Sequence, residues 1–483
     1  MQSYHLKRLL ILPILLGLTA CAMVGPQYTA PQPDLPTAWS QLEQTPPPVA
    51  DATRSGDVSR WWRQLDDPLL SRLMDEAVQA SPDLRLAQAR LREARARRGV
   101  AEADRLPEMT ASAGARRSQS SSEAGSGTTT DLFSAGLDAS WEIDIFGGVR
   151  RGVAAADADL ATAAANLDDA HVSLTAEVEL NYVEVRGLQL RLAIARSNLA
   201  SQTETLQLTE WREQAGLVGR QDVEQARSNR EQTRAQIPTF ETSLTEAEHS
   251  LDILLGKAPG TVQPRLAAAR DLPAMPDRIA VGIPADTLRR RPDIRAAERT
   301  LAAETARVGV AEAARYPAFN LSGSIGLEAL TAENLGTSGA AASSLLAGIT
   351  APIFNAGRLR HQVEIQDAVR EQAQVAYEQA VLGALQDVEN ALVALKRNRE
   401  RGEALAGAVA AARNAAQLAR QQYSAGLIDF QAVLDTERSV LTVEDSLAGT
   451  RTDGLLALIR LYKALGGGWT PQGDSRQAGK DTP

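Results

Sequence analysis

Between residues 133 and 145 the chain alternates without a break. Phe133, Ala135, Leu137, Ala139, Trp141, Ile143 and Ile145 take one side, while Ser134, Gly136, Asp138, Ser140, Glu142 and Asp144 take the other. A period of two predicts a β-strand with one apolar and one polar face. Phe319, Leu321, Gly323, Ile325 and Leu327 against Asn320, Ser322, Ser324, Gly326 and Glu328 repeat the pattern, and residues 109–116 and 345–353 do so more weakly. Strands of about ten residues with these two faces suit either a membrane barrel, lipid outside and water inside, or a half-buried soluble sheet. Periodicity alone leaves both open.

The other pattern is helical. Residues from about 149 to 213 contain no proline and few glycines, and 357–424 read the same way. At ~1.5 Å per residue, a helix of this size is roughly 100 Å long. Val381, Leu385, Val388, Leu392 and Leu395 recur at the alternating four- and three-residue spacing of a heptad seam, and Leu174, Val178, Val185, Leu188, Leu192 and Leu199 follow a similar one. Alanine fills many neighbouring positions, which permits close approach of helices. Such helices cannot bury an apolar stripe alone, so they are expected to pack on each other and on other chains.

Both patterns occur twice because the chain repeats itself. Residues 99–107 read GVAEADRLP and residues 309–317 read GVAEAARYP. At this constant offset of 210, fourteen of the 27 positions in 81–107 match 291–317, and Ala215-Gly216-Leu217 matches Ala425-Gly426-Leu427 far downstream. Matching landmarks more than a hundred residues apart at one offset define two copies of one unit. The first copy is read as 61–270, with strands at about 108–146 and a long helical hairpin at about 149–255. The second is read as 271–469, with a helix at about 292–316, strands at about 317–354 and a hairpin at about 357–465. Pro107 and Pro317 disfavour helix at the residue before them and set an extended continuation, so the repeated phrase marks where helix becomes strand. Residues 470–483 form a polar C-terminal tail.

Four strands in lipid leave two edges of unpaired backbone groups, which is costly. The sheet must therefore close with other copies: two chains supply eight strands and three supply twelve. The first residues bear on which solvent these strands meet. Lys7 and Arg8 precede an apolar run of about ten residues, a signal peptide over 1–20 that is too short to span a bilayer. Leu18-Thr19-Ala20-Cys21 resembles the lipobox of bacterial lipoproteins, and Cys21 is the one cysteine of the chain. Ala22, rather than aspartate, after the cysteine points to the outer membrane. Residues 21–60 are rich in proline and read as a lipid-anchored tether. A lipid anchor and the absence of any later run of about 20 apolar residues favour membrane strands.

The charge of −9 becomes two units more negative once the signal is removed, which argues against a nucleic-acid partner. The histidines are His5, His171, His249 and His361. His361 and Glu364 lie one turn apart with no third ligand nearby, a pair on a helix surface. No phosphate-binding loop, nucleophile elbow or Cys–His pair is present, so the chain is read as a non-enzyme without cofactor or metal. A periplasmic coiled-coil scaffold lipoprotein and a channel serving protein secretion are the alternative readings.

Several short motifs carry a family resemblance. They are Cys21 with Gly25-Pro26-Gln27-Tyr28, Trp61-Trp62, Trp141-Glu142-Ile143-Asp144-Ile145-Phe146-Gly147, Arg290-Arg291-Pro292-Asp293-Ile294, Pro352-Ile353-Phe354 with Gly357, and Leu465-Gly466-Gly467-Gly468-Trp469. In this order they resemble the outer-membrane factors of the TolC family, in the OprM- or NodT-type lipoprotein branch. The resemblance implies a mainly α chain with a transmembrane β-barrel. It implies a homotrimer whose 12-stranded barrel continues into a 12-helix periplasmic α-barrel. It also implies acylation of Cys21 in the outer membrane of a Gram-negative bacterium, a periplasmic adaptor, and an inner-membrane pump of the proton-driven RND type. The chain would then be the exit duct for small toxic molecules or drugs.

The same resemblance places roles at the helix turns. Gly216, Leu217, Val218 and Gly219, with Gly426, Leu427 and Ile428, would be the tips that an adaptor grips. Asp222, Tyr423, Asp435 and Arg438 would form the gate, with Asp222 and Tyr423 linking neighbouring helices and three copies of Asp435 meeting at the axis. Ala432 and Ile428 stand where relatives often carry an aspartate and an arginine. Glycine at 216 and 426 also has a plain reason, since helices commonly end on a left-handed residue. Asp429 is placed to cap the following helix.

Overall fold

The computed structural model describes residues 23–40, 50–51, 59–268, 270–276 and 279–469. The signal peptide, Cys21, tether residues 41–49 and 52–58, and the C-terminal tail lie outside the described residues. The chain forms two compact units, and neither coincides with a sequence repeat. The first takes residues up to 32, 89–165 and 295–379; the second takes 33–88, 166–294 and 380 onward. Each unit gathers the corresponding parts of both copies.

The first unit holds a four-stranded antiparallel sheet of β2 (Glu108–Gln119), β3 (Thr129–Ile143), β5 (Ala318–Ala329) and β6 (Ala341–Thr350) in the order β2-β3-β5-β6. β2 and β5 occupy equivalent positions 210 residues apart, and the central β3–β5 pair joins the two copies. Register puts Met109, Ala139, Gly323 and Leu345 in one row, and Ile143, Phe319 and Ile349 in another. Thr110, Asp138, Ser324 and Ser344 form a row of the other face. Directly opposite residues share a face in an antiparallel sheet, so the single-strand alternation becomes one apolar and one polar surface. Met109, Ile325, Leu345 and Ile349 are all exposed on this surface. The outer strands β2 and β6 each pair on one side only.

Two helices lead into this sheet. α2 (Pro82–Ala103) and α7 (Pro292–Ala313) each end four residues before the proline that precedes a strand. The turn after α2 is held by Trp141, whose Nε1 donates to the Arg105 carbonyl at 3.1 Å. Phe146 stacks on Tyr316 with ring centroids 4.7 Å apart. At the end of β3 the Asp144 carboxylate accepts from the backbone N–H groups of Val149 and Arg150 at 3.2 and 2.9 Å. These are first-turn donors of α3 (Gly148–Gln214) that have no intrahelical partner. The start of the described chain docks here. Arg151 donates to the Val24 and Gly25 carbonyls at 3.1 and 3.0 Å, and the Tyr28 hydroxyl donates to Glu298 at 2.7 Å.

The second unit contains the main apolar core. α1 (Pro68–Ala80) starts on Asp67, whose side chain accepts from the Leu69 N–H at 2.8 Å, and it buries Leu69, Leu70, Leu73, Met74 and Ala77. Trp61 stacks on Tyr462 at 4.5 Å. Seam residues Leu174, Val178, Val185 and Leu188 of α3 join this core, as do Val388, Leu392 and Leu395 of α8 (Arg358–Ser424). A short parallel bridge pairs β1 (Ala50–Asp51) with β4 (Ile279–Ala280). In the chain, α5 (Gln263–Leu266) precedes β4 and α6 (Pro284–Arg290) follows it. Each long helix returns as a shorter one, α3 into α4 (Arg220–Leu254) and α8 into α9 (Phe430–Ala464). The long helices have 67 residues each and the returning ones 35 each, so the two hairpins match in length.

Candidate functional site: the paired hairpin tips

The turns of both hairpins lie in the second unit and are built alike. Gly216 has φ +71° and Gly426 has φ +73°. Leu217 N–H donates to the Arg212 carbonyl at 2.8 Å and Gly216 N–H to the Glu213 carbonyl at 2.8 Å. Leu427 and Gly426 do the same to Gln422 and Tyr423, at 2.9 and 3.0 Å. This is the Schellman ending, which satisfies last-turn carbonyls and requires a left-handed residue at the glycine. The following helices start differently. Asp429 accepts from the Ala432 N–H at 3.0 Å, whereas Gly219 opens α4 with no side-chain cap.

The tips pack on each other through a small buried cluster separate from the main core. It comprises Leu206 of α3, Val223 and Ala226 of α4, Ala419 and Tyr423 of α8, and Phe430, Val433 and Leu434 of α9, with Val218 and Ile428 packed against it. All four helices contribute. Leu217 and Leu427, at the extreme turns, are 67% and 74% exposed.

The structure separates the four expected gate residues into two pairs. Tyr423 is 5% exposed and lies against Phe430, ring centroids 5.2 Å apart. Its hydroxyl lies beside the Thr209 side chain without a hydrogen bond of good geometry, and none joins it to Asp222 within the chain. Burial raises the Tyr423 phenol above its ordinary pKa, with Arg212 and Thr209 opposing and half-buried Asp222 adding to the rise. Asp435 and Arg438 are exposed on α9. Gln431 donates to Asp435 at 2.8 Å, and Arg438 Nε donates to Asn229 Oδ1 of α4 at 2.8 Å, which leaves Arg438 3.9 Å from Asp435.

Two residues that the sequence did not single out complete the site. The Arg212 guanidinium lies 4.3 Å from the Tyr423 ring centroid, and its Nη1 donates to the Tyr423 carbonyl at 3.0 Å. Glu437 is 3% exposed; its Oε1 accepts from Thr205 of α3 at 2.7 Å and from Arg420 of α8 at 3.1 Å. Burial lifts the Glu437 carboxyl above the ordinary glutamate range, against the pull of Thr205 and Arg420. Glu437 does carry a signal in its spacing. It continues the series of Phe430, Val433 and Leu434, so a glutamate stands on the apolar stripe of its helix. Arg212 carries no such signal, since its partner is 211 positions away.

Among the described residues, no group of three or more His, Cys, Asp or Glu side chains is placed to hold a metal. His361 Nδ1 and Glu364 form an exposed surface pair at 2.7 Å.

A helical body with paired hairpins, joined in sequence to an amphipathic antiparallel sheet, is an architecture this chain shares with a solved outer-membrane channel. The outer membrane efflux protein family matches residues 73–257 and 283–467, two blocks at the same offset of 210. The chain belongs to this family and is an outer-membrane efflux protein. It is 34% identical to nodulation protein T of Rhizobium leguminosarum over 94% of this chain and 96% of that one. It is 35% identical to the pyoverdine export outer membrane protein OpmQ of Pseudomonas putida, over 97% of this chain and 99% of that one. The solved outer-membrane channel OprN superposes with a TM-score of 0.87 at 38% identity, covering 93% of this chain and all of OprN. Family members are channels rather than enzymes, and membership sets aside a periplasmic scaffold that lacks membrane strands.

Proposed function

We propose that this protein is the trimeric exit duct of a tripartite efflux pump, passing small toxic molecules from an inner-membrane pump and a periplasmic adaptor to the outside. The observation that carries the proposal is the sheet. Four strands with an apolar and a polar face end in β2 and β6, each with one open edge. In hydrocarbon such edges are satisfied only by closure, and three copies supply a 12-stranded barrel wide enough for a channel. Acylated Cys21 anchors each copy in outer-membrane lipid, and a proton-driven RND pump supplies the energy. The duct itself conducts passively.

The turns around Gly216 to Gly219 and Gly426 to Ile428 dock the adaptor, with exposed Leu217 and Leu427 supplying apolar contact. Asp222, Tyr423, Asp435 and Arg438 belong to the gate at the same end. The test is reconstitution in planar bilayers together with gel mobility. An SDS-resistant, heat-modifiable oligomer whose crosslinked mass is three chains, and which conducts, is the expected result. A non-conducting monomer would overturn the duct. Cysteines placed at Gly219 or Asp429 should crosslink to the adaptor in cells, and failure to trap any adaptor would remove the docking assignment.

A further inference from the structure

Arg212 stands where the two hairpins meet. It belongs to the last turn of α3, yet its guanidinium reaches Tyr423, in the last turn of α8. The guanidinium lies over the ring at cation–π distance. The carbonyl that accepts from Nη1 already accepts from the Gly426 N–H at 3.0 Å, so Arg212 uses its second lone pair at the negative end of α8. One side chain thereby grips both the ring and the backbone of the residue that begins the turn.

Two features make this grip releasable. Arg212 holds a ring and a neutral carbonyl rather than the carboxylate of a fork-to-fork pair, which would bind far more tightly. Its Nε is buried with no hydrogen-bond partner, and the Tyr423 hydroxyl is buried beside Thr209 without a well-formed one. Separating the helix ends would return both groups to water, and their hydration offsets part of the attraction between guanidinium and ring. The contact is thus held and at the same time kept close to release.

We propose that Arg212 is a positioning residue of the gate: it latches the end of α3 to the end of α8 through the Tyr423 ring and carbonyl, and the pore widens when the two helix ends part. The proposal rests on reading the tips as a gate. It assigns the role of Tyr423 to its ring rather than its hydroxyl. It also gives this chain a latch that does not require an arginine at the Ile428 position.

The test is single-channel recording of the purified oligomer in planar bilayers. Arg212→Ala should raise open probability by about tenfold, the size expected from removing one partly buried cation–π interaction and its hydrogen bond, and Tyr423→Leu, which loses the ring but keeps the backbone carbonyl, should raise it by less. The double variant should open no further than Arg212→Ala alone, because Arg212→Ala already removes the ring contact that Tyr423→Leu removes. Tyr423→Phe keeps ring and carbonyl and removes the buried hydroxyl, so its open probability should be no higher than that of the parent. Arg212→Gln, which keeps a donor but no charge, should open the pore while leaving oligomer mobility and melting temperature unchanged; it also serves if Arg212→Ala fails to assemble. Parental conductance in Arg212→Gln, additive effects in the double variant, or an open Tyr423→Phe channel would each overturn the latch. Asp435→Asn with Arg438→Ala, recorded alongside, separates the two levels. If that pair changes conductance and the Arg212 variants do not, the gate stands and the latch falls; if neither does, both fall.

Discussion

Glu437 and Arg420 form an ion pair beneath the tip in which one partner is buried and the other half-exposed: Arg420 Nε donates to Glu437 Oε1 at 3.1 Å, while Glu437 Oε2 has no partner. The same Oε1 accepts from Thr205, and Arg420 also donates to Ser201. One carboxylate thus ties α9 to α8 and α3. The arrangement costs desolvation at the acid, since burial outweighs both partners in raising its pKa.

A pH dependence follows from that shift. The folded state binds the Glu437 proton more tightly than the unfolded chain does, so this contribution to stability is fully present below the ordinary glutamate pKa. It is lost as pH rises through the raised value. The tip should therefore tighten on the acid side, and Glu437→Gln should flatten the dependence while leaving Thr205 and Arg420 an acceptor. Hydrogen exchange at α9 amides near Glu437, measured across the acid range, checks this; an unchanged pH slope in Glu437→Gln would remove the residue from the account.

A second buried acid has no hydrogen-bond partner at all. Glu179 of α3 is fully buried and neither of its carboxyl oxygens makes a hydrogen bond. Burial alone pushes its pKa well above the ordinary range, so its stabilising form is the protonated one and its contribution fades as pH rises. Glu179→Met removes an unsatisfied polar group at similar size. It should stabilise the protein at neutral pH by roughly 1–3 kcal/mol. A melting temperature that falls instead would mean that the carboxyl has a partner in the assembled protein.

Close helix packing makes one glycine irreplaceable. A Cβ on Gly187 of α3 would overlap Thr452 Oγ1 and lie 2.7 Å from its Cγ2 on α9. Thr452 is buried and its hydroxyl is committed to the Ala448 carbonyl at 3.0 Å, so it has little freedom to turn away. Gly187→Ala should cost about 1–3 kcal/mol by overpacking, despite the better helix propensity of alanine. Gly187→Ala combined with Thr452→Ala should recover most of that stability in thermal melts. No recovery would place the strain elsewhere.

The exposed Asp435 makes a prediction about ions. In the proposed trimer, three copies of Asp435 around the axis would concentrate negative charge at the proposed gate, so the pore should prefer cations. The preference should weaken at about 1 M salt, where the screening length is about 3 Å. Asp435→Asn should reduce it at all salt concentrations. A reversal potential indicating anion preference under a KCl gradient would count against the ring.

The sequence determined the periodic features of this protein. The alternation at 133–145 appears as β3, Thr129–Ile143, which starts four residues earlier and stops two residues earlier, and the proline-free stretches appear as α3 and α8, both within one residue of where the pattern starts and stops. These could be read because strand and helix impose fixed periods on which side chains must be apolar, and because every landmark appears twice. The turns were legible too, since a left-handed ending favours glycine wherever the rest of the chain goes.

Tertiary structure alone decided what meets what. It sorted parts of both copies into each compact unit, so that β3 of one copy pairs with β5 of the other. It placed Arg212 over Tyr423, 211 positions away, and turned Glu437 inward between Asp435 and Arg438, which face solvent. The physical reason is that periodicity reports which face of an element is buried, but not the neighbour that buries it. A ring under a guanidinium, or an acid beside one arginine rather than another, is a meeting of distant segments. Only the packing of the four helix ends brings such segments together.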